Sequence, residues 1–275
     1  MSNRLIGYHE GDGLLYGLSG ASKLLFFILV SIACMMTYDT RFILAMGVLS
    51  MYLFYQAKIG WKDISFVVTV IAVVAAFNLL MVYLFSPHYG AELYGREDIL
   101  ISAGYFSVSS QELFYLFNLL LKYFCTVPLA ILFLMTTHPS QFAASLSQIG
   151  ISYRIAYSVS LTLRYIPDIQ EEFYTIRTSQ EARGLELSKK AGLISRIKGN
   201  LQIALPLIFS SLERIETVST AMELRRFGKN KKRTWYKYQV LRKEDWATII
   251  LALLILALSF GLIWLNQGRF YNPWA

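Results

Sequence analysis

Long apolar runs alternate with polar connections along the chain, and the runs fall at residues 23–37, 42–57, 66–85, 113–136 and 246–265. A bilayer core of about 30 Å needs about 20 apolar helical residues, so the third and fifth runs predict membrane-crossing helices. The first two runs are shorter and are separated only by residues 38–41. They read as a tight pair of spans or as one re-entrant hairpin.

The pattern changes after Pro139. His138-Pro139 opens a short helix whose end is marked by Gly150, and Ser152 is placed to cap a second helix. In that helix Ile155, Val159, Leu163, Ile166, Ile169, Phe173 and Ile176 recur at steps of three and four, the spacing of one helix face. A third segment repeats the design with Leu201, Leu205, Ile208, Leu212, Ile215, Val218 and Met222. Each long segment holds one proline, Pro167 or Pro206, which removes a backbone donor and predicts a bend.

Charge turns this pattern into a topology. The 275-residue chain is 55% hydrophobic and 16% charged, figures that fit a large soluble domain or a polytopic membrane protein. Residues 139–245, however, hold 18 Lys/Arg against 10 Asp/Glu, a balance of +8 that equals the whole-chain balance. With Lys58 and Lys62, this places the second connection and the basic segment on the cytoplasmic side. The acidic connection 86–112, with Glu92, Glu97, Asp98 and Glu112 against Arg96, belongs outside. The expectation is an all-α polytopic membrane protein. It has about four spans in residues 1–138, a cytoplasmic domain of long bent amphipathic helices in 139–243, and a last span in 244–275.

The N-terminal segment, residues 1–22, shows no cleaved-signal pattern. Cys34 and Cys125 lie in apolar runs without metal-site or C-x-x-C spacing and read as packing residues. Lys122, inside the fourth run, is expected to snorkel or to pair with Glu112 or a backbone carbonyl.

Two helix ends stand out, Glu181-Ala182-Arg183-Gly184 and Glu223-Leu224-Arg225-Arg226-Phe227-Gly228. In each, an arginine precedes a glycine that can end the helix in the left-handed conformation. From Pro167 to Arg183 is 16 residues and from Pro206 to Arg225 is 19, so each arginine lies about 24 to 28 Å beyond its proline. Cations at a helix C-terminus also meet the negative end of the macrodipole, which accounts for an arginine but not for a matched pair. Spacing alone leaves partner recognition and simple dipole compensation equally open.

Tyr165-Ile166-Pro167 followed by Gln180-Glu181-Ala182-Arg183-Gly184, then Pro206 followed by Ala221-Met222-Glu223-Leu224-Arg225, resembles the transmembrane (T) component of energy-coupling factor transporters, an EcfT/CbiQ-like family of ABC-type importers. The resemblance implies a non-catalytic scaffold in a bacterial plasma membrane. Its two Ala-Arg-Gly-like motifs would insert into grooves of two ATPase subunits, which bind the ATP and Mg, so that no cofactor belongs to this chain. A separate small membrane S component would carry a vitamin, metal ion or other micronutrient. The first motif is intact as Ala182-Arg183-Gly184; the second keeps its arginine within Leu224-Arg225-Arg226. Near the N-terminus, Leu18-Ser19-Gly20-Ala21-Ser22-Lys23 keeps the first and last residues of the family's Leu-Asp-Pro-Arg-x-Lys-like run. Leu201, Leu205, Ile208, Leu212, Ile215 and Met222 form the expected S-component platform, because a large apolar stripe needs a partner or the membrane.

Other functions fit less well. Glu171, Glu172 and Arg177 resemble a Glu-Glu-x-x-x-Arg protease motif at the wrong spacing, and His9, His88 and His138 are not arranged as partners for it. They read as a solvated helix face with i,i+4-type pairs. The chain has no G-x-x-x-x-G-K-[ST] phosphate loop. A self-contained carrier or channel would place several polar residues in the spans, which offer little beyond Asn78, Asn118 and Lys122. The run Lys229-Asn230-Lys231-Lys232-Arg233 beside Trp235, Tyr236 and Tyr238 reads as contact with anionic lipid rather than nucleic acid.

Overall fold

The computed structural model describes residues 13–95, 98–101, 107–185, 192–229, 235 and 239–274. They form an all-α protein, whose β-structure among the described residues is one antiparallel strand pair, β1 (Ile99–Ile101) with β2 (Val108–Ser109), and an isolated bridge between Tyr38 and Phe270. The chain divides into two compact units, residues 1–141 with 239–275, and residues 142–238.

The first unit contains α1 (Leu14–Gly17), α2 (Gly20–Met36), α3 (Thr40–Gln56), α4 (Trp61–Phe85), the short α5 (Tyr89–Tyr94), α6 (Ser110–Thr136), the first residues of α7 (Pro139–Gln148), and α10 (Lys243–Leu265). Side-chain oxygens cap the starts of three of these helices: Ser19 accepts from Ser22 N–H, Asp39 from Arg41 N–H and Ser109 from Glu112 N–H. Each satisfies one of the donors that a helix N-terminus leaves without an intrahelical partner.

Among the described residues, three helices are long and apolar enough to cross a membrane: residues 64–85 of α4, all of α6 and all of α10. The two short runs become separate helices, α2 and α3, of 17 residues each. At 1.5 Å per residue each rises about 25 Å, somewhat less than a bilayer core.

The centre of this unit is α6, which packs against α2, α3, α4 and α5. Phe26, Val30, Ala33 and Cys34 of α2 meet Phe42 and Ile43 of α3, Cys125 and Leu129 of α6, and Ala252 and Ile255 of α10. Gly47 admits Phe124, whose ring would lie 3.3 Å from a Cβ there. The fit at Gly90 is tighter, since an added Cβ would stand 2.6 Å from the Glu112 Cα.

Polar ties fix the ends of the bundle. Helices α2 and α6 run antiparallel, and each carries a buried lysine that donates to the other's terminal carbonyls. Lys23 Nζ reaches Thr136 O at 2.9 Å, and Lys122 Nζ reaches Met35 O at 2.9 Å. The Lys122 ammonium also stands 3.2 Å from the centre of the Tyr38 ring. Its backbone partner is therefore on a neighbouring helix, while Glu112 instead accepts from Gly90 N–H at 2.7 Å. At the starts of α2 and α10, buried Asp245 accepts from Ser19 N–H and the Ser22 hydroxyl, both at 2.7 Å, and from Arg242 N–H at 2.8 Å.

The second unit is built on α8 (Tyr153–Ala182) and α9 (Leu193–Leu224). Ser152 caps α8 by accepting from Ile155 N–H, and Gly150 turns the chain before it with φ 102°. Both helices continue through their prolines.

Candidate functional site

Helices α8 and α9 lie side by side and antiparallel. Glu172 accepts from the Ser210 hydroxyl and, at 3.3 Å, from Arg214 Nη2, whose Nη1 is 3.5 Å from Asp168. Farther toward the start of α8, Arg154 donates to Gly228 O at 3.1 Å. Positions that climb along α8 thus meet positions that fall along α9. Two helix C-termini in such a pair point to opposite ends, and the register of these contacts sets Arg225 level with the second turn of α8, about 40 Å along the helix from Arg183.

Each C-terminus is closed by the same hydrogen-bonded stop. After α8, Gly184 N–H donates to Glu181 O at 3.0 Å and Leu185 N–H reaches back to Gln180 O at 3.0 Å. Gly184 has φ 89°, so the chain turns in the left-handed region at no side-chain cost. After α9, Arg226 N–H donates to Glu223 O at 2.8 Å and Phe227 N–H to Met222 O at 2.9 Å. These are the two bonds of a Schellman stop in both places. Arg183 and Arg225 are the equivalent half-in residues, with φ −85° and −83°.

The second stop corrects one expectation. The left-handed residue that ends α9 is Arg226, with φ 51°, and not Gly228. Gly228 is also left-handed, at φ 86°, but its role is two residues later, where the chain passes over Arg154. The spacing carried the signal: glycine follows Arg183 directly, yet stands three residues after Arg225.

All of the predicted motif residues are exposed: Ala182, Arg183 and Gly184 at one stop, Leu224, Arg225 and Arg226 at the other. Their surroundings differ. The first arginine is flanked by a methyl group and bare backbone, the second by a leucine side chain that is 81% exposed and by a further guanidinium. A planar, permanently charged fork of this kind pairs bidentately with carboxylates.

Along α9, Leu201, Leu205, Ile208, Leu212 and Ile215 are exposed and Met222 is half-buried. Phe209 and Ile197, which the periodicity did not single out, are exposed with them. Repeated steps of three and four residues put the stripe on one side of the helix. The Glu-Glu-Arg cluster of α8 disperses: Glu172 turns to α9, and Arg177 pairs with Glu181 one turn on at 2.9 Å. His88 and His138 approach Ser107 and Ser140, while His9 and Lys231 to Arg233 fall outside the described residues. No group of three or more potential metal ligands occurs among the described residues.

The apolar helices of one unit and the arginine-tipped helix pair of the other define an all-α integral membrane protein. Residues 12–236 match the CbiQ family, described as cobalt transport protein. The chain is 24% identical to the energy-coupling factor transporter transmembrane protein EcfT of Streptococcus thermophilus over 97% of this chain and all of the relative. It is 26% identical to EcfT of Bacillus subtilis over 95% and 99% of the two chains. With EcfT of Exiguobacterium sibiricum the identity is 29%, over 62% of this chain and 66% of that one. The chain belongs to the CbiQ family and is a transmembrane component of the energy-coupling factor transporter class.

Proposed function

We propose that this chain is the coupling scaffold of its transporter. Arg183 and Arg225 dock in grooves of two ATPase subunits, which bind ATP and Mg themselves. Movement of those grooves shifts the α8 and α9 ends, and the apolar stripe from Leu201 to Met222 passes the motion to an S component that holds a vitamin, metal ion or other micronutrient. The scaffold lies in the bacterial cell membrane with residues 139–243 on the cytoplasmic side, where the Lys/Arg excess belongs.

The observation that carries this reading is the matched pair of exposed arginine stops at opposite ends of one antiparallel helix pair. Dipole compensation explains a cation at each end, but not two stops of the same hydrogen-bonded form that present their arginines about 40 Å apart. Co-purification of the tagged chain from its native membranes tests it. Recovery of two ATPase subunits with a small membrane protein is the expected result. Recovery of a stable, monodisperse chain alone would favour a self-contained carrier.

A further inference from the structure

The two stops differ in what holds them. After α9, Phe227 packs between two tyrosines at the start of α8, with ring centroids 4.5 Å from Tyr157 and 5.8 Å from Tyr153. Tyr153 in turn meets Trp235 at 5.3 Å and Tyr157 at 6.0 Å. Between them on the chain, Arg154 donates to Gly228 O at 3.1 Å. Gly228 is suited to this place because its φ of 86° is one that side chains rarely adopt. At the first stop, no ring or guanidinium holds Gly184 or Leu185 in this way among the described residues.

We propose that Tyr153, Arg154 and Tyr157 are positioning residues for the second coupling arginine. Phe227 is the residue whose N–H closes the α9 stop on Met222 O. Fixing its ring against α8 therefore fixes the turn that aims Arg225. The same α8 carries Arg183 at its far end, so one helix both bears the first motif and sets the direction of the second. A force on the Arg225 groove then reaches α8 directly through the aromatic clasp, and not by way of α9 alone. This inference rests on the coupling reading given above.

The test is a pair of double-mutant cycles on the full complex, purified through the tagged chain. Retention of each ATPase subunit is read after dilution, alongside transport per ATP hydrolysed. Aromatic pairs contribute about 0.5–1.5 kcal/mol beyond their buried area, so Tyr157→Ala should weaken retention at the Arg225 seat by about two- to tenfold. Tyr157→Phe, which keeps the ring, restores it. Tyr157→Ala combined with Arg225→Ala should be no worse than Arg225→Ala alone, whereas its effect should add to that of Arg183→Ala. Strict additivity with Arg225→Ala would overturn the positioning role and leave the coupling reading standing. Equal loss at both seats would overturn it too, because it would mean general damage to the unit. A wild-type chain that retains no ATPase would overturn the coupling reading and the clasp's role with it. Arg154→Met, which removes the donor to Gly228 O, with a melting temperature matched to wild type, repeats the test should Tyr157→Ala fail to fold.

Discussion

Gly184 and Arg226 hold the same place in two copies of one helix stop, each donating its N–H to the carbonyl three residues back. One of them is free to turn left-handed and the other is not. A side chain in that region costs about 1–2 kcal/mol, so the second stop carries a strain that the first avoids.

Arg226→Gly should therefore raise the melting temperature by about 2–4 °C for each kcal/mol relieved, and Gly184→Ala should lower it by a similar amount. Thermal unfolding followed by circular dichroism checks both. A lowered melting temperature for Arg226→Gly would mean that its side chain contributes more than its backbone costs.

Both arginines should matter to assembly. Truncating a desolvated charge at an interface centre costs about 2 kcal/mol or more, roughly thirtyfold in affinity. Arg183→Ala and Arg225→Ala are each expected to weaken ATPase retention by that factor or to uncouple hydrolysis from uptake. Wild-type uptake in both single variants would sink the assignment.

Charge on the α9 stripe should separate the two kinds of partner. Leu205→Asp or Ile208→Asp places a carboxylate among exposed apolar groups, where burial against a partner leaves it unpaired. The S component should be lost from the purified complex while the ATPase subunits remain. An S component retained by both variants would move its seat elsewhere.

Asp245 ties the starts of α2 and α10 with three hydrogen bonds from two helix ends. Asp245→Ala leaves buried Ser19 N–H without its partner, a loss of about 1–3 kcal/mol before the charge-assisted bonds are counted. A fall of several degrees in melting temperature is expected, with Asp245→Asn intermediate. An unchanged value would mean that water replaces the carboxylate.

The membrane unit can be checked chemically as well. Cys34 and Cys125 face each other across α2 and α6 with sulfurs 3.0 Å apart. A membrane-permeant oxidant such as diamide should join them within one chain, protecting both thiols from alkylation. Persistent labelling of both thiols after oxidation would contradict the α2–α6 register.

Much of this architecture was legible because helix ends obey local rules. Ser152 and Gly184 act within a few residues of themselves, so their roles could be read from spacing. The long stripe of α9 was legible for the same reason, as its period needs no partner to define it. Asp245 and Lys23 were opaque: their partners lie 226 and 113 residues away in sequence, and no local pattern announces such a pairing. Arg226 was hidden differently, since a nearby glycine offered a cheaper stop that the chain uses for another turn. The clasp at Phe227 required knowing that α8 and α9 run antiparallel, because only then does the end of one helix meet the start of the other.

The crossed lysines of the membrane unit have a consequence for how that unit enters the bilayer. Lys23 secures one end of the α2–α6 pair and Lys122 the other, each by the same bond to the opposite helix's last carbonyls. Being the same in kind, the two ties do not by themselves tell one end of the pair from the other. Its sense of insertion must be dictated from outside it, by the lysines and arginines of the connections, which act while the chain is being threaded into the membrane.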